Sequence, residues 1–171
     1  MKVLLDTSFL RHLGLVDGFD LILELTNNLG WEFKIPQIVI DELNEKTLDE
    51  PLRKFMQEGL IQTDSCTEQE FFSIKQSMLG LDDGELEAIC IINKCDDRKF
   101  KKYLILTDDK PAQKQSFKLG INSLDIVTFL FYSNQKGLFN KELALKSLEI
   151  LQENDYYVDR EVQNDFHRRL L

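Results

Sequence analysis

The chain of 171 residues is 43% hydrophobic and 30% charged, a composition typical of one globular domain, with or without a small appendage. Its net charge of −9 argues against a broad surface that coats nucleic acid, but it is compatible with a local basic groove beside an acidic site. No apolar run is long enough to cross a bilayer, and the N-terminus lacks a signal-peptide pattern. We therefore expect a cytoplasmic protein with no membrane contact, in which Cys66, Cys90 and Cys95 are reduced thiols.

The N-terminal third begins with a short apolar run that ends in an acid. Residues 3–5 are predicted to form a buried strand, and residues 6–8 provide a turn and a helix N-cap. The spacing of apolar residues then predicts helices over 7–13 and 15–29. A strand and two helices are thus expected before the first clear alternation of apolar and polar residues.

The middle of the chain alternates between short strands and helices. Alternating polarity predicts a strand over 31–35, and Pro36 then starts a helix at its first turn. The segments that follow are a helix over 47–57, a weak strand over 60–63, a helix from Thr67 that ends at Gly80, and a helix from Leu81 to about Asn93.

The last third contains the best candidate for a central strand. Residues 103–107 form a continuous apolar run that suits a parallel strand buried on both faces. The remaining segments are a helix from Asp109 to Leu119, a short strand over 120–123, a helix over 125–131, and two helices over 141–152 and about 158–170. Strands separated by helices predict an α/β fold with a central parallel sheet of four or five strands. We place the main domain at 1–135 and a C-terminal helical extension at 136–171.

Acidic residues directly follow the two strongest strand candidates. Asp6 follows the first strand, and Asp108 and Asp109 follow the strand over 103–107. If these strands are neighbours in a parallel sheet, the carboxylates meet at one edge, where their repulsion is costly unless a cation neutralises it. Taken singly, each acid is more simply interpreted as a helix N-cap.

Glu85 allows a sharper test because of its position on a helix. It lies on the same face as the apolar residue Ile89, whereas Glu87 is rotated by roughly 200° and is expected to face solvent, at about 3.6 residues per turn. Glu85 therefore either coordinates a cation or caps the helix with Asp82, as a D-x-x-E variant of the capping box. Local pattern alone leaves both interpretations open.

The helix after Pro36 carries two more acids, Asp41 and Glu42, on either side of its apolar stripe. Periodicity does not determine which of them points inward. Four separated acids with no cysteine or histidine near them favour an oxygen-loving cation such as Mg²⁺ or Mn²⁺ over zinc. His12 follows Asp6 by one or two helical turns and could lie near the site, but a surface histidine is the simpler interpretation.

These segments together resemble the PIN domain family of metal-dependent nucleases. The matching segments are 4–8, 36–43, 84–89 and 106–109, in the order and with the spacing of the family over roughly residues 1–130. Each motif is short, and their combination carries the resemblance. The Gly-Glu-x-Glu-Ala-Ile form of 84–89 looks like a branch of uncharacterised prokaryotic PIN-like proteins. The resemblance implies a Rossmann-like, three-layer fold with helices on both sides of the sheet.

The resemblance also implies an activity and its residues. The expected function is a ribonuclease that uses Mg²⁺ or Mn²⁺ to hydrolyse phosphodiester bonds of single-stranded RNA. The implied catalytic and metal-binding acids are Asp6, Glu42, Glu85 and Asp109, with Asp108 as an alternative metal ligand. Thr7 and Ser8 match hydroxyl residues that orient the first acid or its bound water, and we group them with the substrate-binding residues.

The chain also departs from the family. Relatives in this branch often have an arginine where Gln113 stands, the third acid is Glu85 rather than an aspartate, and the chain continues past the usual end of the family. These departures leave open whether this copy is an active nuclease.

Basic residues suggest where a substrate would lie. Lys110, Lys114 and Lys118 recur every fourth residue and form one stripe on a helix that begins beside the acids. We expect Lys110 and Lys114 to contact phosphates. A second basic group precedes the strand over 103–107 and is expected to be a solvated face at the other strand end: Arg98, Lys99, Lys101 and Lys102.

An alternative hypothesis is a non-catalytic interaction module. The C-terminal helices carry apolar residues that suit an antitoxin-like partner or a homodimer: Leu143, Leu145, Leu148, Ile150 and Leu151. A toxin of a toxin–antitoxin pair would combine both hypotheses. A receiver-like phosphoacceptor domain fits less well, because no suitable lysine follows the last predicted strand.

Overall fold

The computed structural model of the chain contains a five-stranded, all-parallel sheet with helices on both sides. The structure describes residues 1–44, 50–78, 80–94, 102–158, 164 and 168. The strands are β1 (Lys2–Leu5), β2 (Glu32–Pro36), β3 (Ile61–Asp64), β4 (Tyr103–Leu106) and β5 (Asn122–Leu124). Their order in the sheet is β3-β2-β1-β4-β5. The predicted α/β fold with a parallel sheet is confirmed.

The helices lie close to the predicted segments. Within the described ranges they are α1 (Thr7–Leu15), α2 (Asp20–Leu29), α3 (Gln37–Asn44), α4 (Glu50–Gln57), α5 (Glu68–Ser77), α6 (Asp83–Asn93), α7 (Lys110–Lys118), α8 (Ile126–Gln135) and α9 (Lys141–Glu153). Parts of two predicted helices, 47–49 and most of 158–170, lie outside the described residues. Cys66 and Cys90 are free thiols, and Cys95 also lies outside the described residues.

The helix predicted over 15–29 begins later, at Asp20. Asp17 has a left-handed backbone, with φ of 52°, which interrupts the helical path between α1 and α2. A Cβ on Gly18 would lie 2.7 Å from Leu13 Cδ1, so the chain turns closely against α1 at this point. Apolar spacing did not reveal this turn, because the periodicity of α1 runs nearly in phase with that of α2.

Alternate residues of the central strands face two separate cores. Val3 and Leu5 of β1 pack into the larger core, which also contains Phe9 and Phe129, while Leu4 packs on the opposite face with Ile89 of α6. The register aligns β1 with β4 residue by residue, and all four residues of β4 are buried. The continuous apolar run over 103–106 therefore reflects burial on both faces, as predicted.

Helix α9 belongs to the larger core. Ala144, Leu148 and Leu151 are buried in the same cluster as β1. Leu145 and Ile150 pack partly against that cluster, whereas Leu143 is 46% exposed. Most of the apolar residues that we considered for a partner are thus used within the chain. The boundary at 135/136 stays a prediction. Among the described residues, no helix is long and apolar enough to span a membrane.

Truncation of a buried residue of α9 tests whether this helix is part of the folded unit. We expect Leu148→Ala to lower the free energy of unfolding by about 2–5 kcal/mol, since it removes a fully packed side chain. Leu143→Ala, on the same helix, should change it by less than about 0.5 kcal/mol. Urea denaturation followed by circular dichroism measures both variants. Equal effects of the two would show that α9 does not depend on this packing.

Candidate functional site

The site lies where the direction of the sheet's connections reverses. The chain proceeds from β1 towards β2 on one side and from β4 to β5 on the other, and ligands of parallel sheets bind beyond the strand ends at such a switch point. Asp6 directly follows β1, and its backbone N–H donates to the Leu106 carbonyl at 3.1 Å. Asp109 lies three residues after Leu106. The pairing of β1 with β4 therefore brings the two acidic segments together.

Asp6 is held as a buried carboxylate, with 4% of its surface exposed. Its Oδ2 accepts hydrogen bonds from the Ser8 hydroxyl, from the Ser8 backbone N–H at 3.2 Å and from the Thr107 hydroxyl at 3.0 Å. Burial raises the pKa of Asp6, the charge of Asp82 adds to this, and the hydrogen bonds from Ser8 and Thr107 oppose it. One oxygen is thus fixed by three donors.

Glu85 is both a helix cap and a buried acid with an unused oxygen. Its Oε2 accepts from the Asp82 backbone N–H at 3.2 Å, and Asp82 Oδ1 accepts from the Glu85 backbone N–H at 2.9 Å, which completes the capping box. Its Oε1 is buried and has no hydrogen-bond partner within the described structure. Burial, followed by the charges of Asp82, Asp109 and Asp6, raises the pKa of Glu85 to about 8. The capping interpretation therefore applies to Oε2, and coordination of a cation by Oε1 stays a prediction.

Glu42 reaches the site from α3. Its Oε2 accepts from the Thr7 hydroxyl at 2.5 Å. Asp41 is exposed and instead accepts from the Gln37 side chain at 2.8 Å, so Glu42 is the acid of this pair that points inward. A Cβ on Gly84 would lie 2.9 Å from Val39 Cγ2 and 3.6 Å from Glu42 Oε1. Only a glycine at this position permits such a close approach of α3 to the first turn of α6.

The adjacent acids Asp108 and Asp109 point to different surroundings. Asp109 Oδ1 accepts from the Ala112 backbone N–H at 2.7 Å and caps α7, and its charge acts on Glu85. Asp109 therefore lies close enough to Glu85 for its charge to act on it, and its role as a metal ligand stays a prediction.

Asp108 is occupied by partners from three other elements. Its carboxylate accepts from His12 Nδ1 at 2.7 Å, from the Tyr156 hydroxyl at 2.7 Å and from the Ile126 backbone N–H at 2.9 Å. His12 also contacts the Tyr156 ring edge to face, with centroids 4.7 Å apart. His12 is thus partly buried and lies beside the acidic segment, which is the alternative to the surface histidine that we favoured. These contacts leave Asp108 poorly suited to the role of an alternative metal ligand.

Thr107 is a member of the site that the sequence analysis missed. It is fully buried, its hydroxyl donates to Asp6 Oδ2, and the same oxygen accepts from the Asp109 backbone N–H at 3.1 Å. One side chain thus links the acids at the ends of β1 and β4. The signal in the sequence is a single hydroxyl residue between an apolar strand and a pair of acids, which we assigned to the strand.

The expectation that Glu87 faces solvent is wrong. Glu87 is 4% exposed and accepts from the backbone N–H groups of Ile38 at 2.7 Å and Cys66 at 3.4 Å. Helix α6 is buried at every residue from Gly84 to Ile92, because it is covered by other elements as well as by the sheet. The carboxylate of Glu87 therefore satisfies an N–H in the first turn of α3, which would otherwise lack a partner.

The predicted substrate-binding residues divide into two groups. The hydroxyls of Thr7 and Ser8 are already engaged with Glu42 and Asp6. Lys110 and Lys114 are exposed on α7, and Lys110 Nζ lies 3.3 Å from Asp125 Oδ2. Of the second basic group, Lys102 is exposed, and Arg98, Lys99 and Lys101 lie outside the described residues.

The donor set suits a hard divalent cation. Only carboxylates and hydroxyls meet here, and Glu85 contributes a buried oxygen without a partner. Within the described part of the chain, however, no three histidine, cysteine or acidic side chains are close enough together to form a metal-binding group. The residues therefore fit such a cation in chemistry, and the side chains would have to adjust to bind it.

Comparison with known proteins identifies the family. A family model described as "DUF3368: PIN domain" matches residues 2–170. The chain belongs to the PIN domain family. PIN domains are generally nucleases that use divalent metals and bind nucleic acid, and the resemblance inferred from the sequence motifs is confirmed. The match extends over α8 and α9 as well as the sheet.

The chain is also similar to a solved structure of low sequence identity. A PilT N-terminus domain protein from the hyperthermophilic archaeon Sulfolobus solfataricus P2 is 20% identical over 87% of this chain and 95% of that chain, with a TM-score of 0.48. A search of curated proteins gave no significant match.

The raised pKa of Glu85 predicts how stability depends on pH in the presence of a chelator. The folded state holds this proton more tightly than the unfolded chain, so the free energy of unfolding should fall as pH rises from about 4.3 to about 8. Glu85→Gln keeps the cap and removes the titration, so its curve should be flatter and lie above the wild type at pH 8. Urea unfolding between pH 5 and 9 measures both curves. Parallel curves would contradict the prediction.

The contacts of Asp108 predict a specific effect of removing one hydroxyl. Tyr156→Phe deletes the hydrogen bond to Asp108 and should lower the free energy of unfolding by about 1–3 kcal/mol, because a buried acceptor loses a donor. Tyr157→Phe is the matched control, since Tyr157 is 83% exposed, and it should have no measurable effect. Thermal unfolding compares the two. Identical melting temperatures would exclude a stabilising role for the Tyr156 hydroxyl.

Proposed function

We propose that this PIN domain is a ribonuclease that uses Mg²⁺ or Mn²⁺ to hydrolyse phosphodiester bonds of single-stranded RNA. Three observations support this proposal. Glu42 accepts from Thr7, the neighbour of Asp6, and the charges of Asp109 and Asp6 act on Glu85. Glu85 Oε1 is buried and has no partner within the described structure. Repulsion among these carboxylates is relieved when a cation binds. The choice of RNA rests on the family resemblance.

Each acid has a neighbour that fixes its orientation. Asp6, Glu42, Glu85 and Asp109 would hold the cation, which when bound supplies charge neutralisation of the phosphate and a lowered pKa of water. Ser8 and Thr107 hold one oxygen of Asp6, which leaves Oδ1 available. Thr7 likewise holds Oε2 of Glu42 and leaves Oε1 available. The hydroxyl residues thus orient the acids.

The substrate would approach along α7. This helix begins directly after Asp109, and Lys110 and Lys114 lie exposed on it one turn apart. Phosphate contacts from these residues would fix the register of an RNA strand without reading its sequence. Lys110 pairs only weakly with Asp125, because exposed ion pairs are screened by water, so it remains able to bind phosphate. An antitoxin-like partner or a homodimer stays a prediction.

The neighbouring acids of α3 provide a matched test of the metal site. Mn²⁺ at about one hundred times its Kd should raise the wild-type free energy of unfolding by about 2.7 kcal/mol. Glu42→Gln should lose most of this stabilisation. The single variants Glu42→Gln and Asp6→Asn should both lose the metal-dependent cleavage of single-stranded RNA. Asp41→Asn changes the same charge on the outer side of the helix and should behave like the wild type.

Thermal unfolding with and without Mn²⁺, and gel assays of an end-labelled RNA, provide the two readouts. A wild-type protein that neither responds to Mn²⁺ nor cleaves RNA would contradict the proposal and favour a non-catalytic interaction module. An equal response of Glu42→Gln and the wild type would remove Glu42 from the site.

A further inference from the structure

Asp82 lies beside the site but is absent from the four acids that the resemblance implies. It is the N-cap of α6, and Oδ1 accepts from the Glu85 backbone N–H at 2.9 Å. Asp82 is exposed, in contrast to Asp6 and Glu85, which are buried. A carboxylate can accept about four hydrogen bonds or cation contacts, and the cap uses one of them. Its position at the solvent side of two buried acids therefore leaves binding capacity unused.

Gly84 lies close to the carboxylates of both Asp82 and Glu42. The position that a Cβ of Gly84 would occupy lies 3.7 Å from Asp82 Oδ1 and 3.6 Å from Glu42 Oε1. One oxygen of the α6 N-cap and one of α3 are thus both near the same glycine. Any side chain at this position would occupy the space between α3 and the first turn of α6, which only a glycine leaves open.

The charge of Asp82 acts on both buried acids. It is one of the causes that raise the pKa of Asp6 and of Glu85. The nearby Lys75 pairs with Asp83, the next residue along the helix, and its Nζ lies 2.6 Å from that carboxylate. A purely structural cap has no need of an acid here, since asparagine caps helices as well as aspartate does.

An unpartnered oxygen of Glu85 supports a binding role for this cluster. Glu85 Oε1 is buried and without a partner within the described structure, and Glu85 is 5% exposed. The backbone N–H of Asp82 holds the other oxygen, Oε2, and so determines the orientation of the carboxylate. Asp82 therefore already positions Glu85 through its main chain.

We propose that Asp82 is a fifth carboxylate of the metal site, which binds a divalent cation together with Glu42 beside Gly84 as well as capping α6. This inference rests on the proposed function, because it assigns a further ligand to the same site. A site with Asp82 in it extends from the buried acids to the surface. It therefore offers ligands on the side from which a cation and a phosphate enter.

Asp82→Asn separates the two roles of this residue, since asparagine keeps the cap and removes the charge. We expect its melting temperature with a chelator to equal or exceed that of the wild type, while its affinity for Mn²⁺, measured by isothermal titration calorimetry on the full chain, falls about tenfold or more. Asp83→Asn removes the next charge of the same turn and controls for general electrostatics. It should bind Mn²⁺ with less than about a twofold change.

Asp82→Ala removes both the cap and the charge, so it should lower the melting temperature as well as the affinity for Mn²⁺. If the wild type binds Mn²⁺ and Asp82→Asn binds it equally well, Asp82 is a cap only and the inference is overturned, whereas the proposed function stands. If Asp83→Asn weakens binding as much as Asp82→Asn, a general charge effect explains both results and the inference is overturned. If the wild type binds no Mn²⁺, both proposals fail.

Discussion

The burial of carboxylates at the ends of two neighbouring strands is the constraint on which the site depends. A buried carboxylate is costly unless it is hydrogen-bonded, neutralised or protonated. In this PIN domain Asp6 is hydrogen-bonded, because its Oδ2 has donors from Ser8 and Thr107. Burial raises the pKa of Glu85 to about 8, which favours its protonated form. The remaining repulsion provides the driving force for cation binding that we propose.

The approach of α3 to α6 depends on two residues of α6 that are not themselves predicted ligands. Glu87 accepts from the Ile38 N–H and ties α6 to the first turn of α3, while Gly84 removes the side chain that would hold the two helices apart. Glu42 lies one turn after Ile38, so this hydrogen bond holds the helix that carries Glu42 against α6. The short motif Gly-Glu-x-Glu thus contains three features within four residues. Gly84 permits close packing, Glu85 is a proposed site acid, and Glu87 is a buried acceptor that ties α6 to α3.

The C-terminal part of the chain is connected to the same site. Asp108 accepts from Tyr156, which follows α9, and its backbone N–H donates to the Ser8 hydroxyl at 3.1 Å, which in turn donates to Asp6. Leu148 and Leu151 bury α9 against the core that contains β1. Tyr156, in the segment after α9, is therefore hydrogen-bonded to Asp108, the neighbour of the proposed metal ligand Asp109.

The sequence by itself determined the parallel α/β fold and the acids at the ends of β1 and β4, because apolar runs and spacing are local properties. It gave the capping box of Asp82 and Glu85 as one of two interpretations, which the structure then showed. Only the tertiary structure decided the directions of Glu42, Glu87 and Asp108 and the link made by Thr107. Each of these depends on what covers the outer side of a helix or strand. Periodicity defines the faces of α6. The packing of α3 and the β3–α5 segment against α6 decides that Glu87 is buried.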